Sequence, residues 1–318
     1  MASSTSGPTV AFLFPGQGSQ AVGMGLDLYR ESPAAKAVID EVDEALGVSL
    51  SSIIFEGPED ELRRTVNAQP GIMAVSLACL RAMEETLGAS KMPSPSLVAG
   101  HSLGEYTALV AAGALSASDG VRLVRERGRL MQSAADMSDG GMAAILGMED
   151  ADLADICRET DTEISNMNTP DQTVISGARA AVERAMELAN ERGARRTVAL
   201  PVAGAFHSRL MQPAQEGLAA AVAGVALSNA ATPIVANCTG APISTAGEIR
   251  TELTTGLCSC VRWRDCVQHM LQSGVNVFYE IGPGRVLAGM VKRIEPDAEV
   301  FNVGDVEGLQ QLAESLGA

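Results

Sequence analysis

No run in the 318-residue sequence approaches the ~20 consecutive apolar residues that a membrane-crossing helix needs, so no transmembrane segment is expected. Basic residues are scarce: 23 Lys and Arg stand against 39 Asp and Glu, a formal net charge of −16. That balance argues against a broad nucleic-acid or anionic-membrane surface. The six cysteines, at 79, 157, 238, 258, 260 and 266, are too scattered for a secreted disulfide scaffold. Reduced thiols and a cytoplasmic setting are expected. Cys258 and Cys260, followed by Cys266 and His269, lack the spacing of a zinc knuckle, so no metal is expected. Residues 1–7 are polar and carry neither a basic n-region nor an apolar h-region, which excludes a secretory signal. They read as a tag remnant or a trimmed transit peptide, the latter implying a plastid or other organelle stroma. There is no Gly-Lys-Ser/Thr and no complete Gly-x-Gly-x-x-Gly with an acidic partner, so a nucleotide site is not expected.

What is present is enough apolar sequence, 46%, to bury a large core in one large domain or two. Short apolar runs at 9–14 and 97–99 read as buried strands, and 33–46, 69–87 and 116–137 carry apolar residues at helical spacing. Ser116 or Ser118 serves as N-cap for the last of these. Strands separated by helices imply an α/β fold with a parallel sheet. The middle changes texture after Gly140-Gly141. Strand 142–147, helix 151–159, strands 163–167 and 172–176, helix 180–192 and strand 196–200 form the order βαββαβ of a ferredoxin-like unit. A small subdomain at 138–205 is therefore expected, inserted into a larger domain made of 1–137 and 206–318. The α/β pattern then resumes with strands at 233–237, 276–281 and 299–303 and helices at 212–223, 264–273, 284–293 and 306–316.

The strand at 97–99 leads into Gly100-His101-Ser102-Leu103-Gly104 and then a helix. That context makes Gly-x-Ser-x-Gly a nucleophile elbow, in which the following helix directs free N–H groups at the serine. The bland alternative is a buried turn that requires small residues. A serine hydroxyl needs a base within reach, and only three histidines exist. His101 adjoins the serine and points away from it, and His269 sits in an amphipathic helix as a surface or interface residue. His207, in a glycine-bearing loop, is the candidate base. An oxyanion needs fixed donors. The N–H of Leu103 is one, and Gln17, between Gly16 and Gly18, supplies the other.

Five segments now stand in order: Phe14-Pro15-Gly16-Gln17-Gly18-Ser19-Gln20, Gly100 to Tyr106, Arg127-Gly128 with Met131-Gln132, Gly204-Ala205-Phe206-His207, and Glu280-Ile281-Gly282-Pro283-Gly284. Together they resemble the malonyl-CoA:acyl carrier protein transacylase family over about residues 10–303. The resemblance implies an α/β-hydrolase-like large domain carrying a ferredoxin-like insert, and malonyl transfer from malonyl-CoA to the phosphopantetheine thiol of acyl carrier protein without a cofactor. It implies that Ser102 carries the malonyl ester, that His207 is general base and acid, and that the Gln17 and Leu103 N–H groups form the oxyanion hole. It places Arg127 on the malonyl carboxylate and His101, Met131, Asn166, Asn168 and Phe206 around the pocket. A backbone carbonyl in 261–263, at Arg262, would orient the histidine in place of a triad carboxylate. The sequence departs from the family at 256–261, where Cys260 stands in the place of a usual proline.

Arg127 separates the chemistries, because a planar guanidinium holds a carboxylate bidentately and selects malonyl over acetyl. Arg122, Arg125 and Arg129 share one helix face at i, i+3 and i+7 and read as solvated, whereas Arg127 points elsewhere. Phe206 resembles the malonyl-selective type of polyketide acyltransferases, whose bulkier-substrate type carries Ser there. A serine esterase or thioesterase, malonyl loading for a polyketide synthase, and a carrier-docking module with a vestigial site are the rivals. An acidic carrier protein would need a local basic patch, with Arg195-Arg196 or Arg285 with Lys292-Arg293 as candidates, and the chain is expected to be a monomer.

Overall fold

The first apolar run is buried along its whole length in the computed structural model, which describes residues 9–317. The expectation for residues 1–7 lies outside the described residues. The strands are β1 (Val10–Phe14), β2 (Leu97–Gly100), β3 (Gly140–Leu146), β4 (Glu163–Thr169), β5 (Gln172–Ala178), β6 (Arg196–Ala199), β7 (Ile234–Val235), β8 (Pro242–Ile243), β9 (Val277–Ile281) and β10 (Glu299–Val303). A six-stranded sheet has the order β10-β9-β1-β2-β7-β8. It is parallel except for the β7–β8 pairing at one edge. In β1, Val10, Phe12 and Phe14 enter one apolar layer while Ala11 and Leu13 enter another. Both faces are therefore covered, which is why the strand is continuously apolar and does not alternate.

On one face, the helices Pro33–Leu46, Thr65–Lys91 and Ala117–Asp136 build the larger layer. Ser116 caps the last of them by accepting from the Asp119 N–H. On the other face, Trp263–Gln272 and Val286–Ile294 cover the sheet, with Trp263 wholly buried. The Thr65–Lys91 helix begins earlier than the periodicity predicts, and the break falls at Gly88, whose φ of 62° is left-handed.

The second sheet has the order β4-β5-β3-β6, and its pairings are antiparallel. The helices Asp150–Thr160 and Arg179–Glu191 pack on it through Leu153, Ile156 and Val182, opposite Ala143, Ile145 and Ile175. Along the chain this is the βαββαβ order expected for 142–200, here running from Gly140 to Ala199. Its other face is not free: Met142, Ala144 and Val174 pack into the main core with Phe206. β4 also joins the segment before Trp263, where Met167 N–H donates to Val261 O at 2.9 Å and Val261 N–H to Ser165 O at 2.8 Å. This seam brings the two sheets together beside the elbow. Among the described residues no helix is long and apolar enough to cross a membrane.

The helix Ala246–Thr255 is absent from the sequence reading, although its start is written in the residues. Thr245 and Glu248 form a capping box, each side chain bonded to the other's backbone N–H.

Candidate active site

The elbow follows from two close approaches. A Cβ on Gly100 would fall 1.9 Å from the Gly104 carbonyl carbon, and one on Gly104 would fall 2.0 Å from the Phe14 carbonyl oxygen. Neither position tolerates any other residue without moving backbone. Between them Ser102 is held at φ 52°, ψ −104°, a conformation that costs a non-glycine residue ~1–3 kcal/mol. The strain lifts the side chain out of the sheet at the start of the Leu103–Ala111 helix. Gly16 presses against the same turn, since its Cβ would lie 2.4 Å from the His101 carbonyl oxygen. Gln17 follows this contact directly, and among the described residues neither the Gln17 nor the Leu103 backbone N–H has a protein partner.

Ser102 Oγ lies 2.7 Å from His207 Nε2. His207 is itself at φ 56°, so both members of the pair are held in uncommon backbone conformations. Its Nδ1 faces two carbonyl oxygens, Gly256 at 3.0 Å and Ser259 at 3.1 Å. Carbonyls only accept, so the proton of the neutral ring resides on Nδ1, and Nε2 is left to accept from the serine hydroxyl. This corrects the assignment of the orienting carbonyl to Arg262. The Arg262 carbonyl accepts from Cys266 N–H in the first turn of the Trp263–Gln272 helix at 3.0 Å, while its N–H donates to Asn237 O at 2.8 Å. The 3-10 turn Gly256–Cys258 and the residue after it face the ring instead.

Arg127 is only 3% exposed. One terminal nitrogen donates to Ser102 Oγ at 3.0 Å and the other to Gln69 Oε1 at 2.7 Å. Its guanidinium also stands 5.3 Å from the centre of the Tyr106 ring. Among the described residues no carboxylate forms an ion pair with it, whereas Arg122 and Arg129 hold surface partners Asp119 and Glu126. Arg125 departs from the expected solvated face: it is half-buried, with one terminal nitrogen enclosed and unpartnered. Met131 Sδ accepts from Gln69 Nε2 at 3.2 Å. His101 Nε2 meets Asn168 Oδ1 at 3.0 Å, and Asn168 donates on to Gln172. Asn166 is buried and accepts from Ser165. Phe206 is buried in the main core. The structure thus gathers Ser102, His207 and Arg127 in direct contact and ranges His101 with Asn168 and Met131 with Gln69 around them.

The pair's electrostatics are set by burial. Burial first, and then the Arg127 charge, push the His207 imidazole from 6.5 down to about 3, against the opposing hydrogen bond to Gly256. The ring is therefore the neutral, accepting form at all ordinary pH values. Because the pKa is lowered, the competent form is present above about 3 and is lost only as pH falls through that value. We expect the acid limb of kcat/KM for the free protein well below the ordinary histidine range. The limb of kcat should lie higher, because a bound carboxylate offsets the Arg127 charge. A pH–rate profile from 3.5 to 8 checks this, and an acid limb of kcat/KM near 6.5 would contradict it.

A cleft of about 270 Å³ opens beside the ring, lined by His207, Glu163, Arg209, Gln212, Cys258 and Cys260 among others. Cys258 and Cys260 are half-buried there. Residues that the sequence reading did not single out for the site are Gln69, Tyr106, Glu105, Glu252 and Asn237. Three of these had a signal: Glu105 and Tyr106 close the segment Gly100 to Tyr106, and Asn237 stands at the carboxyl end of a strand, where open α/β sheets place their sites.

An acyl transferase domain model matches residues 11–306 of the chain. A malonyl CoA-acyl carrier protein transacylase of Bacillus subtilis (strain 168) is 43% identical over 312 residues, covering 96% of this chain and 97% of that one. The crystal structure of an acyl-carrier-protein-S-malonyltransferase from Bartonella henselae superposes with a TM-score of 0.93 at 44% identity, covering 98% of this chain and 100% of that one. A malonyl-transacylase solved in complex with its type II polyketide synthase acyl-carrier protein superposes with a TM-score of 0.92 at 38% identity, covering 96% of this chain and 99% of that one. With the elbow, the histidine and the buried arginine in one cluster, and with identity above 40% over nearly the full length, the chain belongs to the malonyl CoA-acyl carrier protein transacylase family.

Proposed function

We propose that this protein moves the malonyl group from malonyl-CoA to the phosphopantetheine thiol of an acyl carrier protein, in two half-reactions through an ester on Ser102. The observation that carries the reading is the buried Arg127 guanidinium, without an ion pair among the described residues, aimed at the hydroxyl of a Ser102–His207 pair. His207 Nε2 takes the proton from Ser102 Oγ as the oxygen attacks the thioester carbonyl. The oxyanion accepts the N–H groups of Gln17 and Leu103. His207 then protonates the departing CoA sulfur. In the second half-reaction His207 takes the carrier thiol's proton, the thiolate attacks the ester, and the serine oxygen recovers its proton from the ring. Arg127 holds the malonyl carboxylate, and Phe206 limits bulk at C2. His101, Met131, Asn166 and Asn168 shape the pocket walls. None of these steps requires a cofactor.

We further read the chain as an α/β-hydrolase-like domain, residues 1–137 and 206–318, with a ferredoxin-like insert at 138–205. The two-sheet topology and the βαββαβ order support that division. Of the basic candidates for carrier docking, Arg195 is spent on Asp171. Arg285, Lys292 and Arg293 are exposed at the two ends of the Val286–Ile294 helix and have no carboxylate partner among the described residues. A Cβ on the adjacent Gly284 would lie 3.4 Å from the Ser19 side chain, so the start of this basic helix stands near the Gln17 loop and suits an acidic carrier.

The deciding experiment incubates the protein with labelled malonyl-CoA, with and without holo carrier protein. Malonyl-carrier formation at a rate far above malonate release is expected. Release of free malonate alone, unaffected by the carrier, would favour the thioesterase reading.

A further inference from the structure

Ser102 and Leu103 supply consecutive backbone N–H groups where the elbow turns into its helix. Among the described residues only the first has a protein partner: Ser102 N–H donates to Asn237 Oδ1 at 2.7 Å. The same carboxamide donates from Nδ2 to Gly100 O at 2.8 Å. Asn237 is 4% exposed, so both bonds are made in a dry interior, where an amide left without partners is costly. The reaction steps use neither bond.

The pattern is that of a neighbouring strand. β2 and β7 run parallel with Val98 opposite Ile234, and Val98 N–H donates to Pro233 O at 3.0 Å. The bonds of a parallel ladder are evenly spaced along both strands. Carried on in this register, the main chain of residue 237 would donate to Gly100 O and accept from Ser102 N–H. The Asn237 main chain does neither. Its N–H donates to Glu105 Oε1 at 2.9 Å, and its carbonyl accepts Arg262 N–H at 2.8 Å. The side chain fills both empty places, because a carboxamide, like a peptide group, sets a donor and an acceptor in one plane. The ladder is thereby continued past the end of β7 and onto the backbone of the nucleophile.

Ser102 stands at φ 52°, ψ −104°, and such a conformation persists only where its surroundings over-determine it. The two Asn237 bonds straddle His101 and fix the peptide that enters Ser102. We propose that Asn237 is a positioning residue for acyl transfer: its carboxamide stands in for a strand backbone, holds Ser102 in the strained turn with Oγ toward His207, and by occupying the Ser102 N–H leaves the Leu103 N–H as the elbow's oxyanion donor. The inference rests on the reading of Ser102 as the nucleophile. The carboxamide binds the backbone of the nucleophile, whereas Arg127, on another helix, reads the carboxylate. Loss of the carboxamide therefore slows the chemistry without weakening malonyl-CoA binding, and slows malonyl and acetyl donors alike.

Asn237→Ala and Asn237→Asp test this, read by kcat, KM and single-turnover acylation with malonyl-CoA and acetyl-CoA. Alanine removes both bonds. Aspartate keeps the size and the acceptor, but sets an oxygen against the Gly100 carbonyl oxygen where the parent has an N–H. We expect kcat and the acylation rate to fall by about 10²-fold in both variants and equally for both donors, with KM for malonyl-CoA within about threefold of the parent. An alanine or aspartate variant with kcat close to the parent's, a loss carried by KM, or a loss for the malonyl donor alone would overturn the role. So would failure of both variants to fold, which would make Asn237 a part of the scaffold and not of the reacting geometry. Peptide mapping of the malonyl adduct on the parent protein tests the underlying reading separately: an adduct away from Ser102 defeats that reading whatever the Asn237 variants do.

Discussion

Replacing Ser102 by alanine should abolish transfer of label from malonyl-CoA to the protein and lower overall malonyl transfer by on the order of 10⁴-fold or more, the scale seen when a covalent nucleophile is removed. The reason is local. Arg127 and His207 converge on one oxygen, at 3.0 and 2.7 Å. Without that oxygen the histidine retains its Gly256 and Ser259 carbonyls but has no proton to take. The oxyanion donors remain, so binding and a slow background survive. Folding should not suffer, because alanine keeps the same backbone strain at φ 52° and the elbow is held through backbone groups and Asn237. Intact mass after incubation with malonyl-CoA reads the result directly. Stoichiometric label retained on another residue would remove Ser102 from the mechanism.

Arg127→Ala should invert acyl preference. In the parent protein an acetyl group leaves a buried guanidinium without its anion, and an unpaired buried charge costs ~3–5 kcal/mol, a factor of ~10²–10⁴ in kcat/KM. In the variant the penalty changes sides: the malonyl carboxylate enters a pocket that holds Gln69 and Tyr106 but no cation. Malonyl transfer should fall by ~10²–10³-fold, while acetyl transfer holds or rises. Lysine should not rescue it, since one ammonium cannot reach Gln69, Ser102 and a bidentate carboxylate together. The acid limb of kcat/KM should also move up, because Arg127 is the second cause, after burial, of the lowered His207 pKa. Equal losses for malonyl and acetyl donors would show that Arg127 positions Ser102 without reading the substrate.

Much of this site was legible in the chain. Periodicity alone placed the long helices and the βαββαβ middle, because a buried parallel strand and an amphipathic helix leave different spacings in the residues. Gly100 and Gly104 announced the elbow, and the structure supplies the reason: a Cβ at either would fall 2.0 Å or less from backbone atoms. Apolar periodicity does not mark the helix Ala246–Thr255, which carries Glu252 and whose start is signalled by its capping box alone. The orienting carbonyl was set at Arg262, but that oxygen is taken by its own helix, and Gly256 and Ser259 serve instead. A carbonyl's role depends on where its chain turns in space, and every residue has one, so no residue type marks it.

By itself the sequence determined which groups are the candidates for chemistry: a serine between two indispensable glycines, one available histidine, one arginine off its neighbours' face, and ordered motifs that name a family. Only the tertiary structure decided how those groups meet. Seams between distant segments, 105 residues apart for Ser102 and His207 and 132 for Asn237 and Glu105, set the His207 Nδ1 against two carbonyls, bury Arg127 without an ion pair among the described residues, and enclose Glu105 and Glu252. Protonation and charge pairing depend on burial and on neighbours in space, and neither is a property of a residue in its sequence.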